Sequence, residues 1–312
     1  MKIILACDES GAKGYADQDE QFPGQVGVFA GLFVPEEVLT AAEQRLEAAI
    51  APYRGTDGKL HITDLQPPQQ AGLRTDLFDA ILELNLPCFW YAIHVAGFHG
   101  FHRMTQQVLS DARDAVAASN PNPRVKTGSL REKPDSLHAK LFTGLYSHIV
   151  AYVEERRPGP VEILVRTDNV DAPIAKLFRE QAEHLLHVGT RTSTATGFDT
   201  VTRSVVSAEV RFDAHIPPSL QVATTVDALT ITPVGDEDPI VVAAEVLANS
   251  LCHLFHHRSP EECYKDLNRP SAVRNHPLRH VLTTFWNWGG PDISDRLYRH
   301  PAAPPLDEAE GE

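Results

Sequence analysis

The 312-residue chain is short of positive charge: 28 Lys and Arg stand against 42 Asp and Glu, for a formal net charge of −14. That balance argues against a nucleic-acid binder that works by overall attraction, while leaving room for a local basic groove. Cysteine is scarce as well. Cys7, Cys88, Cys252 and Cys263 show no paired spacing and lie mostly in apolar contexts, which points to reduced thiols. No apolar run reaches the length of a membrane span, and Met1-Lys2 leads straight into an apolar strand with no signal-peptide pattern. The expectation is a soluble cytoplasmic protein with no membrane partner. Neither a GxxxxGK(S/T) loop nor a GxSxG elbow occurs, so P-loop hydrolysis and serine-hydrolase chemistry are disfavoured. Hydrophobic residues at 42% and charged residues at 22% fit a globular chain with a real core.

What is present begins at the first strand, Lys2-Ile3-Ile4-Leu5-Ala6-Cys7-Asp8-Glu9-Ser10-Gly11. The apolar run reads as a buried strand that Ser10 and Gly11 break. Asp8 is thereby delivered at the edge of a core, where a carboxylate is costly unless positive charge meets it. A divalent metal is the usual way for a fold to use such a residue. A second strand at 25–34 follows a long polar loop, which predicts an antiparallel hairpin. Helices are predicted from 35 to 50 and over 70–84, and a strong strand over 88–95. A long helix is predicted over 136–155, a buried strand over 161–166 and a helix over 173–187. Two further strands are predicted at 204–212 and 228–233. Asp238 is a good N-cap, with Pro239 at the first position of a helix running to about 257.

This order predicts an α/β fold: a mixed sheet with antiparallel first strands and later parallel strands, flanked by helices on both faces. The organisation expected is a single domain over 1–300. It carries a basic loop insertion near 120–134, with Arg124, Lys126, Arg131 and Lys133, and a C-terminal extension over 258–300. The tail 301–312 is Pro-rich, then acidic, and is expected to be disordered.

Asp168 ends its strand as Asp8 does, VEILVRTD paralleling KIILACD. If the two strands are central neighbours, the carboxylates meet at one sheet edge. Glu245 sits among small and apolar residues on the helix begun at Asp238. Three such acids would suit Mg²⁺ or Mn²⁺ ions that position water and stabilise the oxygens of a phosphoryl displacement. Two plainer readings stand beside this: Asp168 caps the next helix, and Glu245 pairs with a nearby Arg.

The Asp8-Glu9-Ser10-Gly11 opening, the Gly31–Val34 strand, Lys59-Leu60-His61-Ile62-Thr63-Asp64-Leu65, the strand ending at Asp168 and the helix over 240–250 together resemble the domain-of-unknown-function family numbered 3800. The resemblance covers about residues 1–257, and its opening tetrapeptide is the most specific part. It implies a ribonuclease H-like fold and a metal-dependent nuclease, with nucleic acid as substrate. Asp8 matches the family's first-strand metal ligand, Asp168 the later strand-end acid, and His61 the His of the middle motif. Glu245 falls where the family carries an Asp. Val242 stands where it carries a Gln three residues earlier. These two departures motivate an alternative: a non-catalytic module with a degenerate metal site that binds a protein or nucleic acid.

The metal ligands expected are therefore Asp8, Asp168 and Glu245, with Glu9 and His61 as further catalytic candidates. Glu9 is the weaker, since an extended pleat turns it to the opposite face from Asp8. His61 would move a proton or touch substrate phosphate, against a plain reading as a half-buried His bonded to backbone. Ser10 and Gly11 are either a plain turn or a pair of N–H donors to phosphate. Cys252, His253, His257 and Cys263 contain zinc-ligand types without a Cys-x-x-Cys, and a polar helix end explains them as well. Arg269, Arg274, Arg279, His280, Arg296, Arg299 and His300, with Trp286 and Trp288 among them, are one candidate phosphate-binding surface, against a plain reading as a solvated helix packed by its two Trp residues; the basic loop is the other. Phe98, His99, Phe101 and His102 read as a strand-to-helix turn.

Overall fold

The computed structural model describes residues 1–56, 58–119, 124–127, 133–168, 172–186, 190–213, 224–234, 237–283 and 297–305. Along the chain lie β1 (Lys2–Gly11), β2 (Val26–Pro35), α1 (Leu39–Ile50), α2 (Pro67–Leu84), β3 (Cys88–His94), α3 (Val95–Ser119) and β4 (Val125–Thr127). There follow α4 (Leu137–Arg156), β5 (Pro160–Thr167), α5 (Ala172–Leu186), β6 (Thr190–Asp199), β7 (Ser204–Asp213), β8 (Thr225–Pro233), α6 (Pro239–His256) and the two-residue β9 (Leu282–Thr283).

The main sheet has the order β8-β5-β1-β2-β3-β9. β1, β2 and β3 are successively antiparallel, while β5 runs parallel to β1 and β8 parallel to β5. This is the mixed α/β sheet expected, and its two faces are covered differently. Ile4 and Ala6 of β1 join a core with α1, α2 and α6. Ile3, Leu5 and Cys7 join the opposite core with α4 and α5. The alternation follows from the period of two along a strand.

Several expectations need correction. β1 does not stop at Ser10 and Gly11: both continue the ladder, opposite Val28 and Gly27 of β2. What ends earlier is the pairing with β5, whose last register pair is Cys7 with Thr167. The residues 98–102 lie inside the 25-residue α3 rather than in a turn. Within the insertion, Val125–Thr127 pairs with β6, and β6 with β7, giving a second, three-stranded antiparallel sheet. The rest of 120–134, apart from Arg124, Lys133 and Pro134, falls outside the described residues, as does 306–312 of the tail. α6 is long and apolar enough, by length and composition, to cross a membrane; here it packs across β1 and β2, with most of its length buried in the core.

The free edge of β3 is closed by the segment that follows α6. Cys88 N–H donates to Val281 O at 2.9 Å, and Trp90 Nε1 to Leu267 O at 3.0 Å. The Asn268 side chain accepts from Ala92 N and donates to Ala92 O, at 2.7 and 2.9 Å, standing in for a neighbouring strand. An edge closed in this way presents fewer free backbone groups to another chain.

Candidate active site

Asp8 sits one residue beyond the last β1–β5 register pair, and Asp168 one residue beyond it on β5. The carboxyl ends of two parallel strands thus deliver two acids side by side, where α/β sheets commonly bind their ligands. From the α6 side, Asp238 accepts hydrogen bonds from Ile240 N and Val241 N at 2.9 and 3.3 Å and caps the helix. Asp238 also meets Arg166 of β5 at 3.0 Å, and Arg166 reaches Glu43 of α1 at 2.8 Å. This network sets α6 against the sheet, two turns before Glu245.

Asp8, Glu9, Asp168, Glu245 and His61 line one cavity of about 140 Å³, together with Ser10, Lys13, Thr63 and Asn249. Glu9 is turned to the α4 face, as the pleat requires, where His138 stands 3.5 Å away. The cavity lies at the strand's rim, so both faces contribute to it. Lys13, Thr63 and Asn249 were not singled out by sequence, although Lys13 and Asn249 stand four residues from Glu9 and Glu245, one helical turn for the latter. Arg74 of α2 donates to Asn249 Oδ1 at 2.7 Å and holds it there.

Glu245 finds no arginine among the described residues. Its Oε1 accepts from Ile62 N at 3.2 Å and lies 3.5 Å from His61 Nδ1. The acid therefore pins the 61–64 turn over the cavity and keeps His61 at its mouth, with 41% of the imidazole exposed. For Asp168 the capping alternative falls on 169–171, outside the described residues. Val242 is buried in the α6 core, out of reach of the cavity.

The electrostatics follow from this crowding. Asp8 is only 7% exposed. Burial, and then the charges of Glu9 and Glu245, push its carboxyl well above the usual range. Glu245 is raised by burial, against the pull of His61 and the Ile62 N–H, with Asp168 pushing it further up. Burial works to raise Glu9 too, but His138 and Lys13 together hold it below its ordinary value. Those two helpers are unequal. Burial lowers the His138 pKa against the pull of Glu9, and the contact between them is a long 3.5 Å. Lys13, bonded to Glu9 at 2.8 Å, is the partner that persists. That bond, then the fields of Asp8 and Asp168, raise the Lys13 pKa.

Among the described residues, no three or more His, Cys, Asp or Glu side chains are drawn together as closely as metal ligands. The site is a ring of carboxylates around a cavity rather than a closed coordination shell. Cys252, His253, His257 and Cys263 form no such group either; Cys252 Sγ lies 3.5 Å from His256 Nδ1, and the His253 and His257 rings stack at 5.2 Å. Trp286, Trp288 and Arg296 lie outside the described residues. No protein-family model matches the sequence, and no curated protein is similar enough to count as a relative.

Proposed function

We propose that this chain is a metal-dependent nuclease or related phosphodiesterase of the ribonuclease H-like type, with nucleic acid as its substrate. The observation that carries the reading is the meeting of Asp8, Glu9, Asp168 and Glu245, with His61, on one cavity at the carboxyl ends of two parallel strands. Antiparallel first strands followed by parallel ones, under helices on both faces, support the same reading. So does the resemblance to the family numbered 3800 on the residues that line the cavity.

The donor set is all oxygen, the hard-ligand chemistry that Mg²⁺ and Mn²⁺ prefer. Asp8, buried beside two like charges, is where added positive charge would be most favourable. Asp8, Asp168 and Glu245 would hold the ion, which when bound supplies Lewis-acid stabilisation of phosphoryl oxygens and lowers the pKa of water. The remaining roles belong to the chain itself. Glu245 Oε1 fixes the turn that carries His61, and His61 takes or gives a proton at the cavity mouth. Lys13 keeps Glu9 ionised and sets a cation at the rim, where an entering phosphate needs one.

The test is calorimetric titration of Mg²⁺ and Mn²⁺ into the wild type and Asp8→Ala, followed by cleavage assays on single- and double-stranded DNA and RNA. Binding and cleavage that vanish in Asp8→Ala and Asp168→Ala are expected. Both activities surviving in both variants would overturn the proposal. A second reading, a non-catalytic module with a degenerate metal site, is favoured by the open arrangement of the carboxylates and by Val242 in the core. Tight partner binding that survives loss of Asp8, without metal-dependent turnover, would select it.

A further inference from the structure

Helix α6 continues past the carboxylate cavity. Glu245, Asn249, His253 and His257, four residues apart, form a stripe left outside the core on a helix otherwise largely buried. Glu245 and Asn249 line the carboxylate cavity. His253 and His257, their rings stacked, line an open cleft with Asn275 and His276. Leu254 and Asn275 are shared between that cleft and a larger cavity of about 440 Å³ beyond it. At 1.5 Å per residue, Leu254 lies about 14 Å along α6 from Glu245, and Arg258 follows two residues after the helix ends at His256.

The charge of the lining reverses along this line. Arg258, Lys265, Arg269, Arg274 and Arg299 surround the far cavity, against two carboxylates. Each carboxylate is shared by two of the cations. Asp266 stands 3.0 Å from Arg269 and 3.2 Å from Arg299, and Glu262 stands 3.4 Å from Lys265 and 3.6 Å from Arg274. Arg258 donates to the carbonyls of Lys265, Asp266 and Ala272 and lies over the Phe255 ring, which fixes its guanidinium in place. On a chain whose net charge is −14, this is a local surplus of positive charge on a pre-ordered frame. Guanidinium groups held in that way are suited to bidentate capture of a phosphate.

We propose that the arginine-lined cavity holds a backbone phosphate of a nucleic-acid strand whose reacting phosphate lies at the carboxylate cavity. The strand passes over His253 and His257 between the two. The proposal rests on the nuclease reading for the identity of the reacting bond, but the cavity's own claim is binding. At the 3.4 Å rise of a B-form strand the separation from Glu245 to Leu254 spans roughly four nucleotides, and fewer for an extended one. Substrates much shorter than this would lose the distal grip.

Lys265 and Arg274 are the cations to remove, because their side chains are 54% and 67% exposed and their loss leaves the buried pairs intact. Fluorescence anisotropy in EDTA, with labelled 12-nucleotide single-stranded DNA and RNA, compares the wild type with the Lys265→Ala/Arg274→Ala variant. A control, Lys176→Ala/Arg179→Ala, makes the same charge change on exposed positions of α5, which packs against the other face. The first pair is expected to weaken binding about tenfold and to flatten the slope of log K against log salt by roughly 1 to 1.5. The control is expected to leave both nearly unchanged. Equal losses in the two variants, or no loss in the first, would overturn the proposal. So would a wild type that binds inorganic phosphate or pyrophosphate but neither strand, since the cavity's ligand would then be a free anion. Cleavage by wild type and variant is scored separately. Cation-dependent binding without cleavage under any metal supports the cavity and removes the nuclease reading. Cleavage with binding indifferent to the two cations does the reverse.

Discussion

Asp8 is the residue at which folding and use pull hardest against each other. Its carboxylate is buried, one residue from Glu9 and facing Glu245, while the nearby cation Lys13 is bonded to Glu9. In the absence of an added cation that charge costs stability. Asp8→Asn keeps the shape and removes the charge, so it is expected to raise stability by about 0.5–2 kcal/mol, the range of other gains obtained by relieving a strained site. The measurement is thermal unfolding at pH 7 in EDTA. A melting temperature at or below that of the wild type would show that the carboxylate is compensated after all. Glu245 contrasts with it, because its Oε1 is a structural acceptor for Ile62 N–H. Glu245→Gln retains an oxygen at that position and is expected to change stability by less than about 1 kcal/mol. Glu245→Ala releases the 61–64 turn and with it His61. A shifted His61 signal in NMR spectra of Glu245→Ala but not of Glu245→Gln would separate the two roles.

At the scale of elements, what was legible in the sequence was what local chemistry decides. Asp238-Pro239 announces the start of α6, because an N-cap and a first-turn proline act within one turn. Asp238→Ala removes that cap and the Arg166 contact together, and is expected to lower stability by about 1–2 kcal/mol in urea unfolding. The apolar runs that stop at Asp8 and Asp168 were legible for a similar reason, since an apolar run stopping at an acid is a local signal. What was not legible depended on partners far away in the chain. Ser10 and Gly11 are turn formers that stay in the ladder because β2 pairs with them. β6 reads TRTSTATGFD, with no apolar alternation, and is a strand because β7 runs its full length alongside. Gly97 and Gly100 make the start of α3 look like a turn, yet Gly97 is where the backbone of Tyr298 approaches to 1.9 Å of where a Cβ would stand. Gly144 of α4 is a matching case, its missing Cβ lying 2.3 Å from the Tyr91 ring of β3. Gly144→Ala forces the helix off the sheet and is expected to cost about 1–3 kcal/mol, read as a lowered denaturant midpoint at unchanged m-value.

At the scale of the whole molecule, the segment after α6 closes the sheet edge and builds the arginine cavity, and two buried histidines fasten it. His276 Nδ1 accepts from Leu278 N at 3.1 Å, so its Nε2 carries the proton and donates to Ser250 Oγ of α6 at 3.0 Å. The ring also packs against Phe78 of α2. His94 Nε2 donates to Lys265 O at 3.1 Å, with His300 edge-on to its ring. Burial holds both imidazoles down to about 4, helped at His94 by the nearby charges of His300 and Arg258. The unfolded chain would take up these protons near 6.5. Between about 6.5 and 4 the unfolded state therefore binds more protons than the folded one, and stability falls as the pH falls through that window. Each group contributes up to about 3 kcal/mol to the loss. Asp8 and Glu245 titrate with the opposite sign: their raised carboxyls gain protons in the folded state first, which offsets part of the slope. Urea unfolding from pH 7 to 4.5 should thus show a steep decline in the wild type. His276→Gln keeps a polar group facing Ser250 without a titrating ring, and its decline should be shallower by about one proton's worth. Parallel slopes in wild type and variant would mean that His276 is protonated in the folded protein and that the segment is held by other contacts.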